Sequence, residues 1–200
     1  MSQSVSQVIE QLGITSFYRF TNLNDDYIKV KHMGGVYVIH TTRADFVKNF
    51  SWAVPDINSI EKIVNFIDAD VLSMGAGNGL WEYLIDIGLK NQGKNYIIRA
   101  IDNQQYPNQY YPVQLMDIEQ LTETYPILFI CWPDCTGMDI TAVTKNNPNK
   151  IIYIGEENGG CTGCYDFHEA LDQDYQVVEE IDIHQWMGVH DKIVLYTKKP

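Results

Sequence analysis

The sequence has few basic residues. Its 200 residues include 14 Lys and Arg against 26 Asp and Glu, which gives a formal net charge of −12 at pH 7. An acidic surface repels nucleic-acid phosphates and anionic lipid headgroups, so we expect neither nucleic acid nor a membrane as a partner. A small molecule or a protein remains as the expected partner, and the oligomeric state stays open.

Long apolar runs, secretory features and cysteines are also scarce. No run of about 18 apolar residues occurs, as a membrane span would need. The first residues, Met1 to Val5, lack the basic and apolar regions of a secretory signal. Four cysteines are too few for a disulfide scaffold and indicate free thiols in a reducing compartment. We therefore expect a cytoplasmic protein.

The composition, with 45% hydrophobic and 20% charged residues, is typical of a globular chain of about one domain. The pattern changes near Asp68, so we divide the chain into an N-terminal segment, residues 1–68, and a main domain, residues 69–200.

Before Asp68 the pattern is mixed. It predicts helices at Val5–Leu12, at Thr42–Phe50 and after Asp56, and two short strands, Tyr27–Val30 and Val36–His40, around Gly34 and Gly35.

After Asp68, short apolar runs alternate with helical stretches. The predicted strands are Val71–Met74, Tyr96–Ile101, Pro112–Met116, Ile127–Cys131, Ile151–Ile154, Tyr175–Ile183 and Lys192–Lys198. The predicted helices are Leu80–Leu89, Ile118–Tyr125, Met138–Lys145 and Tyr165–Leu171. This alternation predicts an α/β fold with a mostly parallel sheet, and the last two strands predict an antiparallel hairpin at one edge.

A glycine-rich turn follows the first of these strands. The segment Gly75-Ala76-Gly77-Asn78-Gly79 joins a buried strand to a helix that opens at Leu80. Glycine lets a ligand approach the backbone, and the free N–H groups of a helix N-terminus suit a carboxylate or a phosphate. The dinucleotide fingerprint has the spacing G-x-G-x-x-G, whereas this turn has G-x-G-x-G. A tight turn without a ligand is the alternative.

An acidic residue ends the next strand. Asp102 comes 23 residues after Gly79, close to the spacing of about 20 expected for an acid that accepts both ribose hydroxyls. Its neighbour Asn103 belongs to the same expected site. This spacing serves a nicotinamide cofactor as well as other nucleosides, and a surface turn is the alternative.

The segment from Ser73 to Gly79 resembles the first motif of class I S-adenosylmethionine-dependent methyltransferases, and the resemblance extends from about residue 69 to the C-terminus. It implies that residues 69–200 form a Rossmann-like, cofactor-binding sheet of seven strands, mostly parallel with an antiparallel C-terminal hairpin. It also implies that residues 1–68 form an N-terminal cap that covers the substrate. It also implies S-adenosylmethionine as cofactor, with its methionine part at the turn. The family usually has Glu or Asp where Ser73 stands, and a serine cannot pair with the cofactor's amino group as a charge.

The same resemblance implies the other cofactor contacts. The residues it places there are Ser73, Gly75, Ala76, Gly77, Gly79, Asp102, Asn103, Asp117, Ile118 and Cys131. Asp117 would take the adenine amino group, although it is equally suited to cap a helix. A narrower likeness, to a small methyltransferase-like group without an assigned substrate, covers residues 50–55, 131–133, 154–156, 159–163 and 186–191.

Candidate catalytic and substrate-binding residues lie where strands end, because ligands bind outside the carboxyl ends of strands in an open α/β sheet. Asp134, Glu156 and His190 are the candidate general bases, with a local cap, a loop acid and a turn residue as their alternatives. His190 shares its loop with His184, Trp186 and Asp191. The substrate-binding candidates are Trp52, Trp132 and Pro133.

The cysteines allow two further hypotheses. Cys131 and Cys135 have the spacing C-x3-C, and Cys161 and Cys164 have C-x2-C, so a four-thiolate zinc site or a redox pair is geometrically conceivable. We favour free thiols and expect no metal ligand.

The sequence therefore favours methyl transfer from S-adenosylmethionine to a small molecule or a protein side chain. The alternatives are a non-catalytic protein that binds S-adenosylmethionine or S-adenosylhomocysteine, and a nicotinamide oxidoreductase. The glycine spacing and the closing hairpin count against the oxidoreductase.

Overall fold

One seven-stranded sheet organises the part of the chain that the computed structural model describes, which is residues 3–22 and 35–200, with the side chains of residues 35–41 outside the description. The strands are β1 (Val71–Met74), β2 (Ile98–Asp102), β3 (Val113–Leu115), β4 (Ile127–Cys131), β5 (Lys150–Gly155), β6 (Tyr175–Asp182) and β7 (Lys192–Lys198). Their order across the sheet is β3-β2-β1-β4-β5-β7-β6. Strands β1 to β5 pair in parallel, while β7 is antiparallel to both β5 and β6. The predicted α/β sheet with an antiparallel C-terminal hairpin is confirmed.

Helices cover both faces of the sheet. They are α1 (Val5–Gln11), α2 (Gly35–Asn49), α3 (Ile57–Phe66), α4 (Leu80–Asn91), α5 (Met138–Asn146) and α6 (Tyr165–Asp174), with 3-10 helices at Ile14–Phe20 and Ile118–Gln120. Alternate residues of the central strands point to opposite faces. Phe129 and Ile152 therefore join a core under α1, α3 and α4, whereas Leu128 and Ile151 join a second core under α5 and α6.

The N-terminal segment packs into the first of these cores. Ile9, Ile14, Phe46 and Ile60 are all buried in one cluster with Val71 of β1. Helix α3 begins at a reciprocal capping box, in which the side chain of Asp56 accepts from the Ser59 backbone N–H. The division of the chain at residue 68 stays a prediction.

One of the two strands predicted before Asp68 differs from the structure. Val36–His40, predicted as a strand, forms the start of helix α2. Its β-branched residues favour a strand only weakly, and the run is continuous with a stretch whose Phe46 is buried as part of a helix. The other predicted strand, Tyr27–Val30, lies outside the described residues.

The predicted helix Ile118–Tyr125 is also wrong. The structure has one 3-10 turn, Ile118–Gln120, after which Leu121 is extended. Tyr125 precedes a proline, which disfavours helical backbone, and its N–H donates to Asn146 Oδ1 at 2.6 Å instead.

Among the described residues, no helix combines the length and the apolar composition that crossing a bilayer requires.

Candidate functional site

The glycine turn lies at the carboxyl end of β1, in the middle of the sheet. Gly75, Gly77 and Gly79 have φ angles of +68°, +59° and +78°. Left-handed backbone costs an ordinary residue about 1–2 kcal/mol and costs glycine almost nothing. The turn therefore alternates left-handed glycines with other residues, and this alternation is the physical reason for the G-x-G-x-G spacing.

The three glycines do not have the same surroundings. A Cβ placed on Gly75 or Gly77 would meet no heavy atom within 4 Å, so both positions face open space. A Cβ on Gly79 would lie 2.8 Å from the Cβ of Tyr111. Gly75 and Gly77 are thus free to approach a ligand, whereas Gly79 is required by packing.

Two clefts open on this turn. We name them after the acid that lines each one: the Asp102 cleft, of about 480 Å³, and the Glu82 cleft, of about 420 Å³. Both volumes lie within the roughly 300–1,000 Å³ typical of small-molecule sites. Both clefts are lined by Trp52, Gly75, Gly77, Tyr106, Cys131 and Trp132. The two clefts are therefore adjacent, with the turn and the end of β4 between them.

Asp102, at the end of β2, is tied to the turn. Its Oδ2 accepts from the backbone N–H of Gly77 at 2.8 Å, and its Oδ1 accepts from that of Gln104 at 2.8 Å. A carboxylate has about four acceptor positions, so capacity remains for a pair of ligand hydroxyls. Asn103 lines the same cleft.

Glu82, in the first turn of α4, is buried beside the glycine turn and was not predicted from the sequence. The hydroxyl of Ser73 donates to its Oε1 at 2.5 Å, and the side chain is only 2% exposed. Its Oε2 is buried without a hydrogen-bond partner in the described part of the chain. Burial raises the pKa of Glu82 from 4.5 to about 7, and Asp102 adds a smaller rise against the lowering effect of Ser73.

Strand β4 ends at Cys131, whose thiol is influenced by the charges of two buried acids. The Cys131 thiol lines both clefts, and burial, followed by the charges of Glu82 and Asp191, raises its pKa well above the usual range. A thiol in this environment stays protonated and is a poor nucleophile.

Trp132 follows in an unusual conformation. Its φ is +52°, which costs energy for a residue other than glycine and is common at functional sites. Two contacts hold it: its backbone N–H donates to Ile154 O at 2.7 Å, and its indole Nε1–H donates to Asp191 Oδ2 at 2.8 Å. Burial raises the pKa of Asp191 from 3.8 to about 6, although the Trp132 hydrogen bond lowers it.

An aromatic pair stands where the two clefts meet. The rings of Trp52 and Trp132 are stacked with their centroids 5.4 Å apart, and the Arg43 guanidinium lies 5.9 and 5.8 Å from the two ring centroids. Trp52 is 50% exposed, so the pair presents a flat apolar surface to the clefts. Pro133 and Asp134 line the Asp102 cleft next to it.

The three candidate bases do not share one cleft. Asp134 is exposed and its Oδ1 accepts from the hydroxyl and the backbone N–H of Thr136. Glu156 and His190 lie near each other but outside the linings of both clefts. Their catalytic roles stay predictions.

Glu156 connects two loops. Its Oε2 accepts from the backbone N–H of Cys161 and its Oε1 from that of His190, each at 2.7 Å. Burial alone raises the pKa of Glu156, but these hydrogen bonds outweigh it and lower that pKa below 4.5. A carboxylate bound in this way is a weak base.

The residues predicted for the adenine end, Asp117 and Ile118, are not part of the lining of the Asp102 cleft. Asp117 caps the Ile118–Gln120 turn by accepting from the Glu119 N–H at 3.0 Å, as its alternative interpretation required. Ile118 is buried and lines a small depression with Gly75 and Asp102. Whether either contacts a cofactor stays a prediction.

All four cysteines are free thiols, and among the described residues no group of three or more His, Cys, Asp or Glu side chains is arranged to hold a metal ion. The Cys135 thiol donates to Gly163 O at 3.3 Å, and the Cys164 thiol donates to Asp139 Oδ1 at 3.2 Å.

Comparison with solved structures identifies the fold. A 1,6-didemethyltoxoflavin-N1-methyltransferase from Burkholderia thailandensis superposes on this chain with a TM-score of 0.50 and 14% sequence identity. The superposition covers 82% of this chain and 89% of the Burkholderia chain. The chain has the class I methyltransferase fold. The Burkholderia structure contains 1,6-didemethyltoxoflavin and S-adenosylhomocysteine.

A second structure with the class I methyltransferase fold is similar at a lower score. Magnesium protoporphyrin IX methyltransferase from Synechocystis PCC 6803, solved with S-adenosylmethionine, is 9% identical, with 71% of this chain and 79% of that chain covered and a TM-score of 0.49. No protein-family model and no curated protein matches the chain.

Proposed function

We propose that the protein binds S-adenosylmethionine at the Gly75–Gly79 turn and transfers its methyl group to a small molecule or a protein side chain. The single observation that carries this proposal is the open glycine backbone between two clefts, each of which contains a buried carboxylate. The class I methyltransferase fold supports the same conclusion.

The residues fit the parts of that cofactor. The nucleoside belongs in the Asp102 cleft, where the carboxylate has acceptor positions left for the ribose hydroxyls and Asn103 lies beside it. The methionine part belongs at Gly75 and Gly77, whose missing side chains leave room for it.

Transfer needs an acceptor close to the methyl group. When bound, the cofactor supplies an activated methyl: the acceptor's lone pair bonds to the methyl carbon as the carbon–sulfur bond breaks, leaving a thioether, and the acceptor's proton leaves to a base or to water. Positioning is the main contribution of the protein to such an in-line displacement. The stacked Trp52 and Trp132 line both clefts and offer a flat surface for a planar acceptor.

Isothermal titration calorimetry with S-adenosylmethionine and S-adenosylhomocysteine tests the binding step. We expect saturable binding of both, which Gly77→Ala abolishes because its Cβ would enter the space of the ligand. Gly93→Ala is a matched control, since Gly93 also has a positive φ, +70°, and open surroundings, but lies at the end of α4 away from the clefts. If neither compound binds the wild type, the proposal fails.

A second candidate function is binding without catalysis. It is favoured by the engagement of two candidate bases, because both oxygens of Glu156 and one oxygen of Asp134 already accept local hydrogen bonds. Incubation with cofactor labelled in the methyl group and a fractionated cell extract separates the two functions. Labelled product that Gly77→Ala does not form supports the enzyme, whereas tight binding without labelled product in any fraction supports the binding protein.

A further inference from the structure

Glu82 presents a charge that the protein itself does not neutralise. Its side chain is buried, its Oε1 is satisfied by the Ser73 hydroxyl, and its Oε2 has no hydrogen-bond partner in the described part of the chain. A buried carboxylate without a counter-charge is strongly unfavourable. None of the ion pairs formed by the described residues includes Glu82.

The position of this acid relates it to a ligand. Glu82 lines the Glu82 cleft together with Gly75, Ala76 and Gly77. Asp102 lines the Asp102 cleft and not this one, while Gly75 and Gly77 line both. A ligand that occupies both clefts across the glycine turn would therefore reach Asp102 in one cleft and Glu82 in the other.

The residues of the Glu82 cleft indicate which chemical group of a ligand would bind there. Ionised Glu82 is an acceptor only, so its free oxygen requires a donor, and a cationic donor also offsets the buried charge. Lys48 lines the same cleft, where it is exposed. The acidic Glu82 complements the ammonium of a free amino acid group, and the basic Lys48 in the same cleft complements its carboxylate.

We propose that Glu82 binds the α-ammonium of the ligand's methionine part. The Ser73 hydroxyl holds the Glu82 carboxylate in place by donating to its Oε1. This proposal rests on the proposed function, because it assumes that the ligand at the turn is S-adenosylmethionine or S-adenosylhomocysteine. It makes Glu82 a determinant of specificity for nucleosides that carry an intact amino acid group.

The test is a titration of two proteins with three ligands. Wild type and Glu82→Gln are titrated calorimetrically with S-adenosylmethionine, with S-adenosylhomocysteine, and with the analogue of S-adenosylhomocysteine whose α-amino group is replaced by hydrogen. We expect Glu82→Gln to weaken binding of the first two about tenfold or more, and to leave binding of the deaminated analogue within about twofold. Binding of that analogue also shows that the variant is folded.

Asp86→Asn is the matched control. Asp86 lies one turn further along α4 and pairs with Lys90 at 2.5 Å away from the clefts, so we expect unchanged affinity for all three ligands.

Each other outcome overturns the proposal in a recognisable way. Equal weakening of the deaminated analogue means that Glu82 acts through the fold. Weakening of S-adenosylmethionine alone means that the acid faces the sulfonium and not the ammonium. Equal affinity of wild type and Glu82→Gln for S-adenosylhomocysteine overturns this assignment and leaves the proposed function intact, whereas absence of binding to the wild type overturns both.

Discussion

At the scale of single residues, two carboxylates differ in how the fold treats them. Glu82 has one satisfied oxygen and a raised pKa, whereas Glu156 has two satisfied oxygens and a lowered pKa. The environment of Glu82 suits an acid that binds a ligand, and the environment of Glu156 suits an acid that stabilises the folded loops. Each interpretation leads to a separate prediction.

Glu82 makes the stability of the ligand-free protein depend on pH. Its pKa in the folded protein, about 7, lies above the ordinary 4.5. The stability that the protonated side chain contributes is therefore fully present below about pH 4.5, and it is lost as the pH rises through 7. This shift corresponds to roughly 3 kcal/mol. We expect Glu82→Gln to gain up to that amount over wild type between pH 4 and pH 8, measured as the free energy of unfolding in urea.

The exposed Glu123 provides the control for this measurement, because we expect Glu123→Gln to change the free energy of unfolding by less than about 0.5 kcal/mol. A difference between Glu82→Gln and wild type that does not change with pH contradicts the prediction.

Glu156→Gln tests the structural role of that acid. Gln cannot accept both backbone N–H groups, so we expect a loss of about 1–3 kcal/mol in the free energy of unfolding. Its neighbour Glu157 pairs with Lys192 at the surface and has a side chain that is 77% exposed, so Glu157→Gln should cost less than about 1 kcal/mol. If Glu156→Gln keeps full stability and loses methyl transfer, Glu156 is the general base after all.

At the scale of elements, the connection from β1 to α4 combines two kinds of glycine. Gly75 and Gly77 leave space for a ligand, and Gly79 allows the chain to pass Tyr111. The sequence pattern treats the three positions alike, and only their neighbours distinguish them.

Gly79→Ala is therefore expected to destabilise the protein more than Gly93→Ala. Both changes place a Cβ on left-handed backbone, at φ of +78° and +70°, at a cost of about 1–2 kcal/mol. Only Gly79→Ala also forces a Cβ to within 2.8 Å of Tyr111, which adds roughly 1–3 kcal/mol. Urea unfolding of both variants measures the difference, and equal costs would show that Tyr111 moves aside freely.

Local sequence predicted the central elements better than the peripheral ones. Strands β1, β4 and β5 are short apolar runs that are buried on both faces. Such continuous runs are typical of parallel strands in the middle of a sheet, so the local pattern was sufficient to predict them. Val36–His40 and Ile118–Tyr125 were wrong because their local preferences are weak, and packing and capping decided their conformation.

At the scale of the whole molecule, the net charge leads us to expect that nucleic acids are not substrates. The net charge of −12 gives the protein a field that repels polyanions. Asp102 and Glu82, the buried acids that line the two clefts, extend the same expectation to the site itself.

We expect no saturable binding of transfer RNA or duplex DNA below about 100 μM at physiological salt, in contrast to proteins that bind nucleic acid non-specifically. Fluorescence anisotropy with labelled oligonucleotides measures this, with a basic nucleic-acid-binding protein as the positive control. Micromolar binding that weakens as salt is added would require a basic surface and would reopen the choice of substrate.

The sequence by itself determined the seven strands in their order along the chain, the glycine turn and the acid at the end of β2, because these depend on periodicity and on the backbone freedom of glycine. It left Glu82 as an ordinary first-turn acid of a helix and Asp191 as one residue of a loop. Only the tertiary structure decided that both are buried, with one oxygen each unpartnered in the described part of the chain. Burial and hydrogen-bond satisfaction are properties of the whole packing, so no local pattern encodes them.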